Sequence, residues 1–331
     1  MAEPNVLDVL AESLLAQLRT QPGQSATVVA LQASTGMDGS QVSPVVDILR
    51  SWGYEIRQEA DCLTLVKAPD ILTATEVLNG LATNTLGRTV HAYGSVGSTN
   101  DIAVRLTEEG AAEGSIVIAD EQTRGRGRLG RSWVSRAGCG IYFSVLLRPD
   151  FPPDRAPGVS VMSALAVADT IEKYVPGRVR IKWPNDVLID GRKTAGILTE
   201  LSAERGRISS LVVGVGINVN HSATDFPDEL TNTATSISIA TGHTIRRVEL
   251  LQTFLRLFEI EYGEYCQDQL AQSIDRLRSY SSLIGKEVEL VSGENRIVGT
   301  AVDINADGSL ALECKGKRLQ ITSGEVTVAR Y

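Results

Sequence analysis

Residues 125–131 read Gly-Arg-Gly-Arg-Leu-Gly-Arg, and Ser132 and Trp133 follow them. Glycines let a backbone approach a ligand closely, and the three arginines present guanidinium groups from the same short segment. β-Rich apolar runs lie on both sides, at residues 115–119 and 140–147, which predicts a loop between two strands. This arginine loop (residues 125–131) is suited to wrapping an anion. The less favoured alternative is a disordered RNA-binding segment, which would lie in low-complexity sequence.

The composition is that of a globular protein with room for two or three domains. The chain has 331 residues, of which 43% are hydrophobic, and a formal net charge of −8. No apolar run approaches the roughly 18 residues of a membrane span, and the N-terminus lacks the pattern of a signal peptide. The four cysteines are far apart, which favours neither a disulfide framework nor a zinc site. We therefore predict a cytoplasmic protein without a membrane association.

The first 68 residues have the element order of a winged helix-turn-helix module. Three helices and then two short strands are predicted, at residues 6–19, 26–34, 41–52, 54–57 and 62–66. The functional interpretation is DNA binding through the segment from Val28 to Asp47. The alternative is a packing or dimerisation unit, because residues 1–80 carry four basic and ten acidic side chains and phosphates attract cations. Both interpretations stay open here.

An Asp-Gly dipeptide at 190–191 joins two β-rich arms and predicts an antiparallel hairpin. Lys182 and Lys193 are predicted to lie on facing arms, so that two ammonium groups converge on one anionic ligand. Asn185 and Asp186 supply oxygen ligands of the kind that Mg²⁺ prefers. The alternative for this hairpin is a solvated edge with exposed lysines.

Three other segments complete the predicted organisation. Ser98, Thr99 and Asn100 open a predicted helix, where they either cap it or surround a neutral polar ligand. A strand at 211–220 carries glycines two residues apart, which leaves one face free for a flat ligand. Residues 283–331 are predicted to form a separate barrel of about five short strands.

Four motifs together resemble the biotin protein ligases. They are residues 122–133, Lys-Trp-Pro-Asn-Asp at 182–186, Arg-Lys-Thr-Ala-Gly-Ile-Leu at 192–198 and Gly-Val-Gly-Ile-Asn at 214–218. One motif could arise by chance, whereas four in this order could hardly do so. With the N-terminal module included, the whole chain resembles the bifunctional type, biotin–[acetyl-CoA-carboxylase] ligase and biotin operon repressor.

The resemblance implies an α+β fold in three domains. The first is a winged helix-turn-helix at residues 1–68. The second is a central mixed-sheet catalytic domain of the biotin/lipoate ligase, class II synthetase-like type, at residues 72–280. The third is a small SH3-like β-barrel at residues 283–331.

The activity that the resemblance implies is a two-step, ATP-dependent biotinylation. Biotin and Mg-ATP give biotinyl-5′-AMP, and the biotinyl group then passes to a lysine of the biotin carboxyl carrier protein of acetyl-CoA carboxylase. The first step joins a carboxylate to an α-phosphate, so cations are needed to offset their repulsion and no nucleophilic side chain is required. The implied partner is the carrier protein, while a homodimer and operator DNA are left open.

Site residues follow from the same resemblance. Biotin is assigned to Ser98, Thr99, Asn100, Gln122, Arg126, Gly127, Arg128, Lys193, Gly196 and Gly214. ATP is assigned to Arg128, Arg131, Trp133, Lys182, Asn185 and Asn218. The catalytic group consists of Arg126, Arg128, Lys182, Asp186 and Lys193. Mg²⁺ is assigned to Asn185 and Asp186.

Two features depart from the family pattern, and two rival functions stay open. The predicted reading helix is less basic than is usual in repressor members, and Leu129 lies where an arginine is common in some members.

The alternative enzyme is a lipoate or octanoate protein ligase, which resembles this fold. The rival of another class is a biotin-sensing regulator without turnover.

Overall fold

The computed structural model of the chain describes residues 6–292 and 295–328. The chain divides into two units, Met1–Gly80 and Leu81–Tyr331. Residues 1–5, 293–294 and 329–331 belong to the predicted N- and C-terminal domains but lie outside the described residues. Within the described part, no helix is both long enough and apolar enough to cross a membrane.

The first unit consists of helices packed on a small antiparallel sheet. Its elements are α1 (Val6–Thr20), β1 (Ser25–Thr27), α2 (Val28–Thr35), α3 (Val42–Ser51), β2 (Glu55–Glu59), β3 (Cys62–Lys67) and α4 (Ala74–Leu78). The strands lie in the order β1-β3-β2. The periodic leucines of α1 build the core, because Leu14, Leu15 and Leu18 are fully buried against α3 and β3.

The predicted helix at 26–34 was wrong at its start. Ala26 lies in β1, where it pairs with Leu63, and the helix begins at Val28. Thr27 determines this boundary, because its side-chain oxygen accepts a hydrogen bond from the Ala30 amide at 3.2 Å. In α3, Pro44 lies in the first turn, where its missing N–H breaks no helical hydrogen bond.

A buried ion pair attaches α4 to the first unit. Arg19 of α1 donates to both carboxylate oxygens of Glu76, at 2.8 and 2.6 Å, and the Tyr54 hydroxyl donates to the same carboxylate at 3.0 Å. Thr73 caps the helix, because its hydroxyl accepts from the Glu76 amide.

The second unit is built on a seven-stranded mixed sheet with helices packed against it. Its elements up to the last helix are β4 (Val90–Val96), α5 (Thr99–Glu108), β5 (Ile116–Gln122), β6 (Gly140–Leu147), α6 (Ala156–Glu172), β7 (Val179–Lys182), β8 (Asp186–Ile189), β9 (Arg192–Glu204), β10 (Arg207–Asn218), α7 (Ile237–Thr241), α8 (Arg247–Asp268) and α9 (Ile274–Tyr280). The strand order is β4-β5-β6-β10-β9-β8-β7. Only the β4–β5 pair is parallel. The predicted central mixed sheet is confirmed.

The centre of this sheet follows from its apolar runs. Every residue of β6 is buried, as expected for a strand paired on both edges and covered on both faces. The small residues of α6 are also buried, and this helix packs on β9 and α8. The arginine loop leaves the sheet between β5 and β6, as predicted.

The Asp190-Gly191 hairpin is confirmed, but the prediction that Lys182 and Lys193 face each other was wrong. A turn at the cis Trp183–Pro184 bond splits the first arm into β7 and β8. Lys182 therefore pairs with Asp186, and β8 separates it from β9. A continuous β-rich run concealed this turn in the sequence.

The chain ends in a five-stranded antiparallel sheet. Its strands are β11 (Glu287–Ser292), β12 (Asn295–Ile304), β13 (Leu310–Cys314), β14 (Lys317–Ile321) and β15 (Glu325–Val328). They lie in the order β14-β13-β12-β11-β15. The number of strands agrees with the prediction for this region.

The buried His221 is expected to make folding sensitive to mild acid. Its ring is fully buried, stacks on Phe226 and has no hydrogen-bond partner for Nδ1, while the Tyr142 hydroxyl lies 3.1 Å from Nε2. Burial lowers the pKa of His221 from 6.5 to about 4. Below pH 6.5 the unfolded chain therefore binds a proton that the folded chain does not. We expect roughly 3 kcal/mol of stability to be lost as the pH falls from 6.5 to 4.

Chemical denaturation at several pH values tests this expectation. His221→Phe should flatten the slope of the unfolding free energy between pH 4 and 6.5. His243→Gln is the matched control, because His243 is exposed. An unchanged slope in His221→Phe would contradict the assignment.

Candidate functional site

A cavity in the second unit brings together most of the predicted site residues. It encloses about 470 Å³, including the part that opens to solvent. The predicted residues that line it are Ser98, Thr99, Asn100, Gln122, Arg126, Gly127, Arg128, Trp133, Asn185, Lys193, Gly196 and Gly214. These residues come from α5 and its N-cap, β5, the arginine loop and Trp133 just after it, the turn before β8, and the strands β9 and β10.

Glycines on two neighbouring strands let other groups come close to the sheet. A β-carbon on Gly214 would lie 2.1 Å from Asn100 Oδ1, and one on Gly216 would lie 2.5 Å from Trp133 Nε1. Gly216 pairs with Gly196 on β9, which also contacts the Trp133 ring. The strand face predicted to be free for a flat group therefore receives the indole of Trp133.

One end of the cavity is lined by neutral hydrogen-bonding groups. The Gln122 carbonyl accepts from the Thr99 amide at 2.9 Å, and its Nε2 donates to Ser135 Oγ at 3.0 Å. The fully buried Ser144 hydroxyl lies 2.8 Å from Thr99 Oγ1 and 2.6 Å from Asn100 Oδ1, and it donates to one of them at a time. Ser98 occupies the N-cap of α5 without a side-chain cap bond. This end can bind a ligand group that has both donors and acceptors.

The other end of the cavity is cationic. Arg126 pairs with Asp101 at 2.7 Å and with Glu200 at 3.0 Å. Arg128 donates to Asn185 Oδ1 at 2.9 Å and to the Gly324 carbonyl at 3.1 Å. Burial lowers the pKa of Arg128 from its usual value, against the opposing effect of Asp186 and Glu325. A desolvated guanidinium of this kind favours an anionic ligand.

Lys193 is the third cation of the cavity. Its ammonium lies 2.7 Å from Asp186 Oδ1 and 5.4 Å from the centroid of the Trp133 ring. At that distance it makes a cation–π contact with the indole. The lysine is therefore positioned between a carboxylate and the flat group that covers the glycines.

The side chains predicted to bind Mg²⁺ do not form a metal site by themselves. Asn185 Oδ1 accepts from Arg128, its Nδ2 donates to the Ile197 carbonyl, and Asp186 pairs with Lys193. Among residues 6–292 and 295–328, no group of three or more histidine, cysteine, aspartate or glutamate side chains could hold a metal ion. Mg²⁺ prefers six oxygen ligands, so most of them would have to come from a phosphate ligand and water.

Comparison with known proteins agrees with this geometry. The Biotin/lipoate A/B protein ligase family matches residues 94–218, and the Biotin protein ligase C terminal domain matches residues 283–328. The bifunctional ligase/repressor BirA of Bacillus subtilis (strain 168) is 38% identical over 282 residues, which cover 85% of this chain and 87% of that protein. The chain belongs to the biotin protein ligase family.

Other biotin protein ligases are similar over about three quarters of the chain. The biotin--[acetyl-CoA-carboxylase] ligase of Mycobacterium tuberculosis is 34% identical over 250 residues, which cover 73% of this chain and 90% of that protein. The solved structure of the biotin protein ligase from Aquifex aeolicus in complex with biotin and ATP has a TM-score of 0.63 at 32% identity. The aligned region covers 74% of this chain and 100% of the Aquifex chain. The family resemblance predicted from the four motifs is confirmed.

Four of the residues assigned to the biotin ligase site do not line the cavity. Lys182 lies on the edge strand β7, and Asp186 reaches the site only through Lys193. Arg131 is 67% exposed and pairs with Glu325. Asn218 is buried, and its Nδ2 donates to the Thr235 carbonyl at 3.1 Å. The roles of these four in ATP binding and catalysis stay predictions.

The sequence analysis missed several residues that contribute to the cavity of this biotin ligase. Those that line it without having been assigned are Phe143, Ile197, Leu198, Val215 and Gly216. Gly216 could have been found, because it is the second of the two glycines that the predicted strand at 211–220 carries two residues apart. Ser144 and Glu200 carry no local signal, since their importance arises from contacts with residues far away in the sequence.

Proposed function

We propose that this protein catalyses the ATP-dependent biotinylation of a carrier-domain lysine. One observation carries the proposal. A single cavity joins a neutral hydrogen-bonding end, at Thr99, Asn100 and Gln122, to the cations Arg126, Arg128 and Lys193. Biotin has the same polarity, with a neutral ureido group at one end and a carboxylate at the other.

The charges of the cavity suit the formation of an acyl-adenylate. A biotin carboxylate oxygen attacks the α-phosphorus of ATP, the bond to the β-phosphate breaks, and pyrophosphate leaves. Both reactants are anionic, so Lys193 and Arg128 reduce their repulsion and stabilise the charge that develops around phosphorus. The cations lie in a partly buried site, where their field is stronger than in water.

The second step transfers the biotinyl group to the carrier protein. The neutral amine of the acceptor lysine attacks the carbonyl carbon of the mixed anhydride, AMP leaves, and the amine loses a proton. The side chains of the cavity contribute position and exclusion of water, since the mixed anhydride is prone to hydrolysis. The biotin carboxyl carrier protein of acetyl-CoA carboxylase is the acceptor that we propose.

ATP is proposed to carry Mg²⁺ into the site. The ion would neutralise part of the phosphate charge, and the family pattern assigns the side-chain oxygens of Asn185 and Asp186 to it. Because both oxygens already bind cations of the chain, they would have to exchange partners for this role. Trp133, Lys182 and Asn218 remain proposed contacts of the nucleotide.

The neutral end of the cavity favours biotin over lipoate. Lipoate ends in an apolar dithiolane ring, which offers no donor or acceptor to the polar side chains of Thr99, Asn100 and Gln122 that line this end. A site that hydrogen-bonds its substrate strongly rejects an analogue that lacks the hydrogen-bonding groups. An apolar pocket discriminates less strongly against an analogue that carries one additional group. Pyrophosphate exchange with biotin and with lipoate distinguishes the two, and exchange with lipoate alone would exclude a biotin ligase.

The decisive experiment is mass spectrometry of a carrier domain. The protein is mixed with biotin, Mg-ATP and the carrier, and a biotinyl mass increase is expected on one lysine. Omitting ATP should abolish it. A protein that binds biotin without modifying the carrier would instead be a sensing regulator.

We also propose the finer assignments of the domains. A winged helix-turn-helix occupies residues 1–68 of the first unit, the catalytic domain spans residues 72–280, and a small SH3-like β-barrel spans residues 283–331. The order of α1, α2, α3 and the β2–β3 hairpin supports the first assignment, and the similarity of residues 283–328 to a ligase C-terminal domain supports the last. A homodimer and a cytoplasmic location remain predictions.

Arg128→Ala is expected to accelerate the release of biotinyl-5′-AMP by about 10- to 100-fold. A hydrogen bond to a charged group contributes about 1.5–3 kcal/mol, and this guanidinium lines the cavity. A filter-retention assay with radiolabelled adenylate measures the change. Arg136→Ala is the control, for which we expect less than about threefold because Arg136 does not line the cavity and pairs with Asp225. Equal effects of the two variants would refute this role.

Operator binding is a second candidate function, favoured by the bifunctional name of the Bacillus relative. The charge of the first unit opposes it, because Val28–Asp47 contains two aspartates and no lysine or arginine. Arg50, exposed on α3, pairs with Asp47 at 3.2 Å. We therefore expect a Kd weaker than about 1 µM in a gel shift at physiological salt, as for non-specific binding.

Asp47→Lys is the matched variant for this gel shift. It replaces an acid by a cation on an exposed position of α3 and frees Arg50, so binding should tighten. Tight, sequence-dependent binding by the unsubstituted protein would show that DNA recognition does not need cations on this segment.

A further inference from the structure

Glu200 on β9 connects both ends of the cavity without lining it. Its Oε2 accepts from Asn100 Nδ2 at 2.9 Å, and its Oε1 accepts from Arg126 Nη2 at 3.0 Å. Asn100 belongs to the neutral end and Arg126 to the arginine loop. One carboxylate therefore contacts a proposed biotin-binding side chain at the neutral end and a proposed catalytic cation at the same time.

Two acceptors determine how Asn100 is oriented, since its Nδ2 donates to the Glu200 carboxylate at 2.9 Å and to the Leu198 carbonyl at 3.3 Å. An ionised carboxylate only accepts hydrogen bonds, so it selects the orientation in which the amide NH₂ points to Glu200. Asn100 Oδ1 then points to the buried Ser144 hydroxyl, 2.6 Å away, and lies over Gly214. A chain of hydrogen bonds thus runs from β6 through α5 to β9 and on to the loop.

Asp101 is a second carboxylate beside Arg126, and comparison with it shows which contact is particular to Glu200. This carboxylate also pairs with Arg126, at 2.7 Å, but the Asn100 side chain bonds to Glu200 and not to Asp101. Both ion pairs with Arg126 are partly exposed, with side-chain exposures of 34% to 47%, so each contributes little stability. What distinguishes Glu200 is its second contact.

We propose that Glu200 is a positioning residue of the ligase reaction, which orients Asn100 toward biotin and holds Arg126 at the cavity. The proposal rests on the proposed function for its biotin part. The part of the proposal that concerns the arginine loop depends only on contacts within the protein without substrate. Glu200 acts through Asn100 and Arg126 and does not touch the reacting atoms.

The test compares Glu200→Gln with Asp101→Asn, which both remove one negative charge beside Arg126. In Glu200→Gln a competing amide can turn Asn100, so the KM for biotin in pyrophosphate exchange should rise about tenfold, with a smaller change in kcat. In Asp101→Asn the KM should stay within about twofold. Equal KM values for the two variants would overturn the proposal and leave Glu200 as an ordinary surface ion pair.

Two further measurements separate positioning from a general loss of structure. In an Asn100→Ala background, Glu200→Gln should add less than about threefold to the KM, because the contact that it disturbs is already absent. If the KM increases of the two single variants instead multiply in the double variant, Glu200 does not act through Asn100. A melting temperature of Glu200→Gln within a few degrees of the unsubstituted protein excludes unfolding as the cause.

Hydrogen exchange of residues 125–131 tests the part concerning the loop without any substrate. Faster exchange is expected in Glu200→Gln than in the unsubstituted protein. An unchanged exchange rate would refute the proposal that Glu200 holds the loop through Arg126. If the unsubstituted protein shows no biotin-dependent pyrophosphate exchange, the proposed function fails, and the biotin part of the inference fails with it. The loop measurement still decides whether Glu200 holds Arg126.

Discussion

Lys193→Ala is expected to lower the rate of biotin-dependent pyrophosphate exchange by about 10²- to 10³-fold, as for the loss of one group that stabilises a developing anion. Two effects act in the same direction. The variant removes an ammonium from the cavity in which a carboxylate and a phosphate must meet. It also leaves Asp186, whose carboxylate lies 2.7 Å from that ammonium, as an uncompensated negative charge nearby.

The double variant Lys193→Ala/Asp186→Asn distinguishes these two effects. It removes the uncompensated carboxylate, so part of the lost rate should return, while the missing cation keeps the rate well below that of the unsubstituted protein. Arg192→Ala is the control from the adjacent position of β9. Arg192 does not line the cavity, and we expect less than about twofold change. A Lys193→Ala enzyme with a nearly normal rate would remove Lys193 from the mechanism.

Gly214→Ala is expected to abolish measurable biotin binding, which corresponds to a Kd at least about 100-fold weaker. The added β-carbon would lie 2.1 Å from Asn100 Oδ1, much closer than any non-bonded contact allows. The Asn100 side chain cannot move away freely, because Ser144 and Glu200 bind its two ends. Overpacking of this kind also costs about 1–3 kcal/mol of stability.

Isothermal titration with biotin and thermal unfolding measure the two effects of Gly214→Ala. The matched control is Gly94→Ala on β4, where no atom lies within 4 Å of the added β-carbon, and binding should be unchanged. In the double variant Gly214→Ala/Asn100→Ala the clash disappears, so stability should return while biotin binding stays weak. Normal biotin binding by Gly214→Ala would place the ureido group elsewhere.

Much of the fold could be predicted because its signals are local. The apolar run of β6, the Asp190-Gly191 turn and the leucine periodicity of α1 each lie within one short window of sequence. The predicted secondary structure was wrong where pairing with a segment distant in the sequence determined the local conformation. Ala26 joins a strand because β3 offers its edge, although the sequence around it also suits a helix.

The site was predicted less completely than the fold. Its motif residues were found because their types carry the chemistry, as in the arginine loop. Ser144 and Glu200 were missed because a serine and a glutamate in β-rich segments have no distinctive pattern. Their contacts join residues 44 to 100 positions apart along the chain.

The sequence by itself determined the chemistry of this protein: a loop of glycines and arginines, lysines on β-rich arms, and glycines spaced two apart on a strand. Only the tertiary structure decided which of these groups share one cavity. Arg128 and Lys193 line it, whereas Lys182 and Arg131 do not. The physical reason is that strand order, register and the turn at Trp183–Pro184 place each side chain, and pairing between distant segments sets all three.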